Sequence, residues 1–145
     1  MTRARILLAD DHKDMREHVV QLLERDFEIL GEYSDGQAAV DAVAELKPDI
    51  CLMDISMPVL SGIQAAHQLT ANGSTAKIIF LTIHEDPDFV QAALKTGAKG
   101  YVIKRCLASD LPAAVNEVLA GRTFVSSVLA SRSNGPGKKK LTRTG

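Results

Sequence analysis

Asp54 closes the apolar run Pro48-Asp49-Ile50-Cys51-Leu52-Met53-Asp54, and the acidic pair Asp10-Asp11 closes Ile6-Leu7-Leu8-Ala9. Thr82 follows Lys77-Ile78-Ile79-Phe80-Leu81, and Lys104 follows Gly100-Tyr101-Val102-Ile103. Four apolar runs thus end in carboxylates, a hydroxyl and an ammonium. Magnesium prefers oxygen ligands in near-octahedral geometry and often bridges one or two carboxylates to a phosphate. Asp11 and Asp54 are expected to supply those carboxylates, with Asp10 close by. Asp54 is also the expected nucleophile, because a carboxylate can attack phosphorus and form an acyl phosphate when a metal and a cation neutralise the incoming oxygens. Lys104 is that cation, expected to serve the phosphoryl group and to anchor no core. Thr82 can donate a hydrogen bond to the product. A phosphoryl group adds roughly −1.5 to −2 charges and three acceptors, so this chemistry doubles as a switch.

Each residue has an ordinary explanation on its own. Asp10-Asp11 reads as a helix cap, Thr82 as a strand-end hydroxyl and Lys104 as a solvated charge. Only an architecture that gathers them makes the joint reading compelling. Strand-like runs, expected near 4–10, 28–33, 49–54, 77–82 and 99–103, alternate with amphipathic helical segments, which predicts an α/β fold with a doubly wound, five-stranded parallel sheet. Met15, Val19, Leu22 and Leu23 share one helical face, as do Ala39, Val40, Val43 and Leu46. Asp35-Gly36 and Asp86-Pro87 have the chemistry of helix starts, and Gly31, Gly73, Gly97 and Gly121 are placed at or near element ends. Right-handed crossovers put every strand's carboxyl end on one edge, where open α/β sheets bind ligands. Topology alone then brings Asp10, Asp11, Asp54, Thr82 and Lys104 together.

The chain has 145 residues, enough for one domain with a single core, and 46% of them are apolar. No apolar run approaches the roughly 20 residues that span a bilayer, and only four apolar residues lie between Arg5 and Asp10, too few for a secretory signal, so a cytoplasmic protein without a membrane partner is expected. Cys51 and Cys106 are assigned no chemistry. The formal net charge of −1 conceals an asymmetry: residues 1–121 hold all 18 acids and 11 of the 17 bases, a net of −7, whereas residues 122–145 hold six bases and no acid. The expected organisation is a body over 1–121 and a basic, largely flexible tail or linker over 122–145.

The acidic pair Asp10-Asp11, the segment Asp54-Ile55-Ser56-Met57-Pro58 followed by Gly62, Leu81-Thr82, and Gly97-Ala98-Lys99-Gly100-Tyr101-Val102-Ile103-Lys104 together resemble the receiver domains of bacterial two-component response regulators over about residues 4–121. Leu81-Thr82-Ile83-His84-Glu85-Asp86 and Gly121-Arg122-Thr123-Phe124-Val125-Ser126 resemble the NarL/FixJ-like branch. The resemblance implies a flavodoxin-like fold with strand order 2-1-3-4-5 and a histidine kinase as phosphodonor. It implies Asp54 as phosphoacceptor, Asp10 and Asp11 as the metal pair, and the Ser56 backbone carbonyl as a further magnesium ligand. Thr82 and Lys104 would be the switch pair, with Tyr101 as the aromatic that turns inward when Thr82 moves. The surface of the fourth helix, fifth strand and fifth helix would then change partners, with a phosphorylation-dependent homodimer among the outcomes.

Members of that branch usually carry a C-terminal helix-turn-helix domain, and no such unit fits in the eight residues after Gly137. Contact with DNA is therefore expected only through a domain missing from this chain. A stand-alone receiver acting through protein contacts is the alternative. A magnesium-dependent phosphohydrolase is disfavoured, since it would need a cap insertion and a second acid where Ser56 stands. The chain is thus expected to assist its own phosphorylation and dephosphorylation without being an enzyme toward other substrates. His84 and Ser56 are placed to adjust water's access to the acyl phosphate. His12 reads as the start of the first helix, His18 and His67 as surface residues, and Lys138-Lys139-Lys140 as a solubilising run.

Overall fold

The computed structural model describes residues 3–129. Strands and helices alternate as β1 Arg5–Ala9, α1 Lys13–Leu23, β2 Glu28–Tyr33, α2 Gly36–Leu46, β3 Ile50–Asp54, α3 Gly62–Ala71, β4 Lys77–Thr82, α4 Pro87–Lys95 and β5 Gly100–Ile103. A 3₁₀ turn, Lys104–Cys106, leads into α5 Leu107–Leu119, and β6 Phe124–Val125 closes the order. All strand pairs are parallel, in the order β2-β1-β3-β4-β5-β6. The flavodoxin-like order is as expected, but the strand count is not: six strands are present among the described residues, because the chain after α5 returns along the outer edge of β5. The folded body therefore continues past residue 121. The basic residues Arg132, Lys138, Lys139, Lys140 and Arg143 lie outside the described residues.

Strand burial explains the continuous apolar runs. β1, β3, β4 and β5 are covered on both faces, so alternating side chains enter opposite cores. Ile6, Leu8, Ile50, Leu52, Ile79 and Leu81 meet Val19 and Leu23 of α1 and Leu111, Val115 and Val118 of α5. Leu7, Ala9, Cys51, Met53 and Phe80 meet Ala39, Val40 and Val43 of α2, Ala65, Ala66 and Leu69 of α3, and Ala93 of α4. Cys51 is fully enclosed, and burial pushes its thiol up to about 12, consistent with an inert packing residue.

Local chemistry sets the helix starts. Asp35 accepts from the Ala38 amide at 2.8 Å. Asp86 accepts from the Asp88 amide at 2.8 Å, with Pro87 in the first turn, where no amide partner is needed. Ser61 and Gln64 form a reciprocal capping box at the head of α3. Gly31 lies in β2, two residues before its end, where the register with β1 slips between Ile6 and Leu7, and an added β-carbon would stand 2.9 Å from the Tyr33 hydroxyl.

The segment between β3 and α3 is unusually constrained. Leu60 N–H donates to Pro58 O at 2.7 Å around Val59, whose φ is 68°. This is a tight γ-turn of the strained hand, centred on a β-branched residue that is 79% exposed. At the segment's end, a β-carbon on Gly62 would overlap the carbonyl of Asp54, and one on Gly36 would overlap that of Leu60. These obstacles are backbone atoms, which cannot swing aside. Gly62→Ala should lower stability by about 2–3 kcal/mol in urea unfolding. Val59→Gly should raise it by about 0.5–1 kcal/mol in the same measurement, because glycine takes this φ without steric conflict.

Candidate phosphoacceptor and metal site

Asp10, Asp54, Thr82 and Lys104 all stand at the carboxyl edge of the sheet, at the ends of β1, β3, β4 and β5. Asp54 is paired in register with Leu81, which places Thr82 one residue beyond it on the adjacent strand. Lys104 Nζ lies 2.7 Å from Asp10 Oδ2 and 3.1 Å from Asp54 Oδ2, so one ammonium bridges two carboxylates. Asp10 is fully buried and Asp54 nearly so. The contact to Asp10 Oδ2 is close enough for an ion pair but poorly aligned for a hydrogen bond, leaving that oxygen without a hydrogen-bond donor. Asp54 Oδ1 is better served, accepting from the Ser56 amide at 3.2 Å.

Burial raises the Asp54 carboxyl above the usual carboxylate range, with Lys104 opposing the shift and Asp10 adding to it. For Lys104 burial works to lower the value, yet its short contacts to the carboxylates of Asp10 and Asp54 and their negative charges together hold it above that of a free lysine. Lys104 therefore remains an ammonium throughout the neutral range. The expectation that it anchors no core needs correction: it is the counter-ion that makes two enclosed carboxylates tolerable.

Asp11 lies at the more open side of the cluster. Oxygens of Asp10, Asp11 and Asp54, together with a ring nitrogen of His12, fall within 4.8 Å of one another. Three carboxylates with one bridging lysine leave an excess of negative charge and of oxygen donors, which fits a hard divalent cation. His12 is the member that sequence reading assigned elsewhere. Its Nδ1 is 3.0 Å from Asp11 Oδ1 and 3.3 Å from Asp10 Oδ1. Adjacency to the acidic pair was the only available signal, and a residue opening a helix explains adjacency equally well.

Thr82 and Tyr101 meet around His84. Thr82 Oγ1 accepts from the His84 amide at 3.0 Å, and Tyr101, fully buried, donates its hydroxyl to the His84 carbonyl at 2.9 Å. Burial pushes the Tyr101 phenol up to about 12, with the Thr82 hydroxyl opposing and Asp86 adding. The His84 ring stacks on Phe89 with centroids 4.1 Å apart, and its Nε2 is 3.2 Å from Ser56 Oγ. Ser56, two residues past Asp54, thus connects to the β4–α4 loop.

Known proteins agree with this geometry. A family model described as the response regulator receiver domain matches residues 6–116. The transcriptional regulatory protein DegU of Brevibacillus brevis is 38% identical over 125 residues, covering 85% of this chain and 53% of that protein. A crystal structure of a LuxR-family two-component response regulator from Aurantimonas sp. SI85-9A1 superimposes with a TM-score of 0.85 at 34% identity, covering 90% of this chain and 94% of that one. The isolated receiver domain of RcsB from Salmonella enterica serovar Typhimurium, determined with the phosphomimetic BeF3-, gives a TM-score of 0.82 at 25% identity, covering 89% and 97%. The chain belongs to the response regulator receiver-domain family, and its relatives place it in the NarL/LuxR-type branch. It spans only about half the length of the DegU relative.

Removing Lys104 should expose the cost of the carboxylate pair. Lys104→Ala is expected to lose about 2–4 kcal/mol of stability in chelator, since two enclosed acids lose their counter-ion. Adding magnesium should recover part of the loss, whereas a deficit indifferent to magnesium would place the metal away from these acids.

Proposed function

We propose that this chain is the phosphoacceptor module of a two-component phosphorelay. An oxygen of Asp54 attacks the phosphorus carried by a histidine kinase, the P–N bond breaks, and an aspartyl phosphate forms. Magnesium, held by Asp11, Asp54 and the Ser56 carbonyl with Asp10 close by, would neutralise phosphoryl oxygens during transfer. Lys104 supplies the second positive charge, and the observation that carries the reading is its ammonium bridging Asp10 and Asp54 at the edge where the strands end. Thr82 can donate its hydroxyl hydrogen to the product phosphoryl, and because its oxygen also accepts from the His84 amide, a turn of Thr82 toward the phosphoryl pulls on the His84 loop.

That pull on the loop is the switch. Tyr101 already points inward and is tied to the carbonyl of the same residue, so movement of the His84 loop couples Thr82 to Tyr101. The helices flanking β5 then present an altered surface, through which a phosphorylation-dependent homodimer is proposed. His84 and Ser56 close one approach to Asp54 and are proposed to set how readily water reaches the acyl phosphate. Relatives carrying the description of transcriptional regulatory proteins support an output in transcription, exerted on DNA by a further domain. The chain is proposed to act in the cytoplasm; among the described residues no helix is long and apolar enough to cross a membrane.

Magnesium and acetyl phosphate should add one phosphoryl group to the full chain, read by intact mass. Asp54→Asn should abolish the addition, and chelator should suppress it. A label that persists unchanged on Asp54→Asn would mean another residue is the acceptor.

A further inference from the structure

The chain that follows α5 is bonded into the strand that ends at Lys104. Gly121, with φ of 90°, turns the backbone, and Phe124 N–H then donates to Lys99 O at 2.9 Å. Phe124 and Val125 lie in register with Gly100 and Tyr101. Ser126 N–H continues the ladder, donating to Tyr101 O at 3.0 Å. In a regular parallel pair the next bond would run from the Ile103 amide to the Ser126 carbonyl. Instead that carbonyl accepts from Leu129 N–H at 2.9 Å, as the backbone bends into the helical residues 127–129. The Ile103 amide is satisfied by the Ser126 side chain, with Oγ accepting at 3.0 Å.

Ser126 is fully buried, and Leu129 packs into the same core cluster as Tyr101, Ile103 and Ala93. One side chain therefore replaces a ladder carbonyl at the last residue before Lys104. Its backbone amide holds the carbonyl of Tyr101 two residues earlier. We infer that Ser126 is a positioning residue for Lys104, and that residues 124–129 form a strap that passes the phosphorylation state of Asp54 from β5 to the chain beyond.

The inference rests on the phosphoacceptor reading and extends it. Lys104 bridges Asp10 and Asp54 before transfer, and a phosphoryl group offers three new acceptor oxygens with added negative charge. Turning toward them moves the backbone at Lys104, which is one peptide from the Ile103 amide. Ser126 Oγ either follows or loses its donor. A buried amide without a partner is costly, which makes the contact two-state rather than graded. On the opposite side, β4 fixes Ile103 through its pairing with Thr82, so displacement at this end of β5 is directed toward the strap.

Hydrogen exchange on the full chain, with peptides spanning residues 99–107 and 122–130, reads the coupling directly. Magnesium with beryllofluoride should change protection in both peptides of the parent chain. Ser126→Ala should remove that response at 122–130 and slow acetyl phosphate labelling about fivefold, the kinetic equivalent of one lost hydrogen bond. Its magnesium affinity should stay at the parent value, and Ser126→Thr should restore labelling. A parent chain that labels normally while its strap exchanges identically with and without beryllofluoride overturns the coupling alone. Labelling of Ser126→Ala at the parent rate overturns the positioning role. A parent chain that takes no label overturns the phosphoacceptor reading and the coupling together.

Discussion

A single ammonium lodged between two enclosed carboxylates is the constraint around which this molecule is arranged. Asp10 and Asp54 end adjacent strands and have almost no access to water, so a pair of carboxylates enclosed there calls for a compensating charge. Lys104 provides it from the end of β5, across β4. The balance is deliberately incomplete: Asp11 and His12 add further donors at the open side, and the cluster remains over-supplied with negative charge. The proposed divalent cation and phosphoryl group would relieve the two imbalances from opposite directions. On the proposed reading, metal would satisfy the surplus acids, and the phosphoryl group would give Lys104 a stronger partner than the carboxylates it leaves.

Rigid backbone surrounds this centre on one side. The tight turn at Val59, the contact of Gly62 with the Asp54 carbonyl and that of Gly36 with the Leu60 carbonyl lock the β3–α3 segment against the heads of two helices. The other side depends on hydrogen bonds that can be exchanged. Thr82, His84 and Tyr101 share one set of donors and acceptors, and Ser126 shares another with Tyr101 and Ile103. Fixed geometry near Asp54 and replaceable contacts farther out suit its proposed role, to react first and then be read.

The features legible in the residues were those with local causes. Asp35 and Asp86 announce helix starts because a short acceptor side chain can satisfy free amides within a few residues of itself. Buried strands appear as unbroken apolar runs because both faces are covered. The register slip at Gly31 was not legible because it belongs to a pair of strands, and nothing in β2 alone reports its partner. The two-residue β6 is too short to show any period, so a tail composition concealed it. Ser126 entered only as the last residue of a stretch resembling the NarL/FixJ-like branch, since a serine that replaces a ladder carbonyl looks like any other serine beside a turn.

Sequence alone determined the order of the elements and the inventory of reactive groups, because alternating strands and helices with right-handed crossovers bring all strand ends to one edge. From that rule Asp10, Asp11, Asp54, Thr82 and Lys104 could be gathered before any coordinates. Tertiary structure decided what those groups do to one another: which oxygens Lys104 bridges, where Tyr101 donates, and that the chain beyond α5 closes the outer edge of β5. Those outcomes turn on ångström separations between atoms tens of residues apart in the chain. Burial then sets the strength of each interaction, and burial is a property of the packed whole.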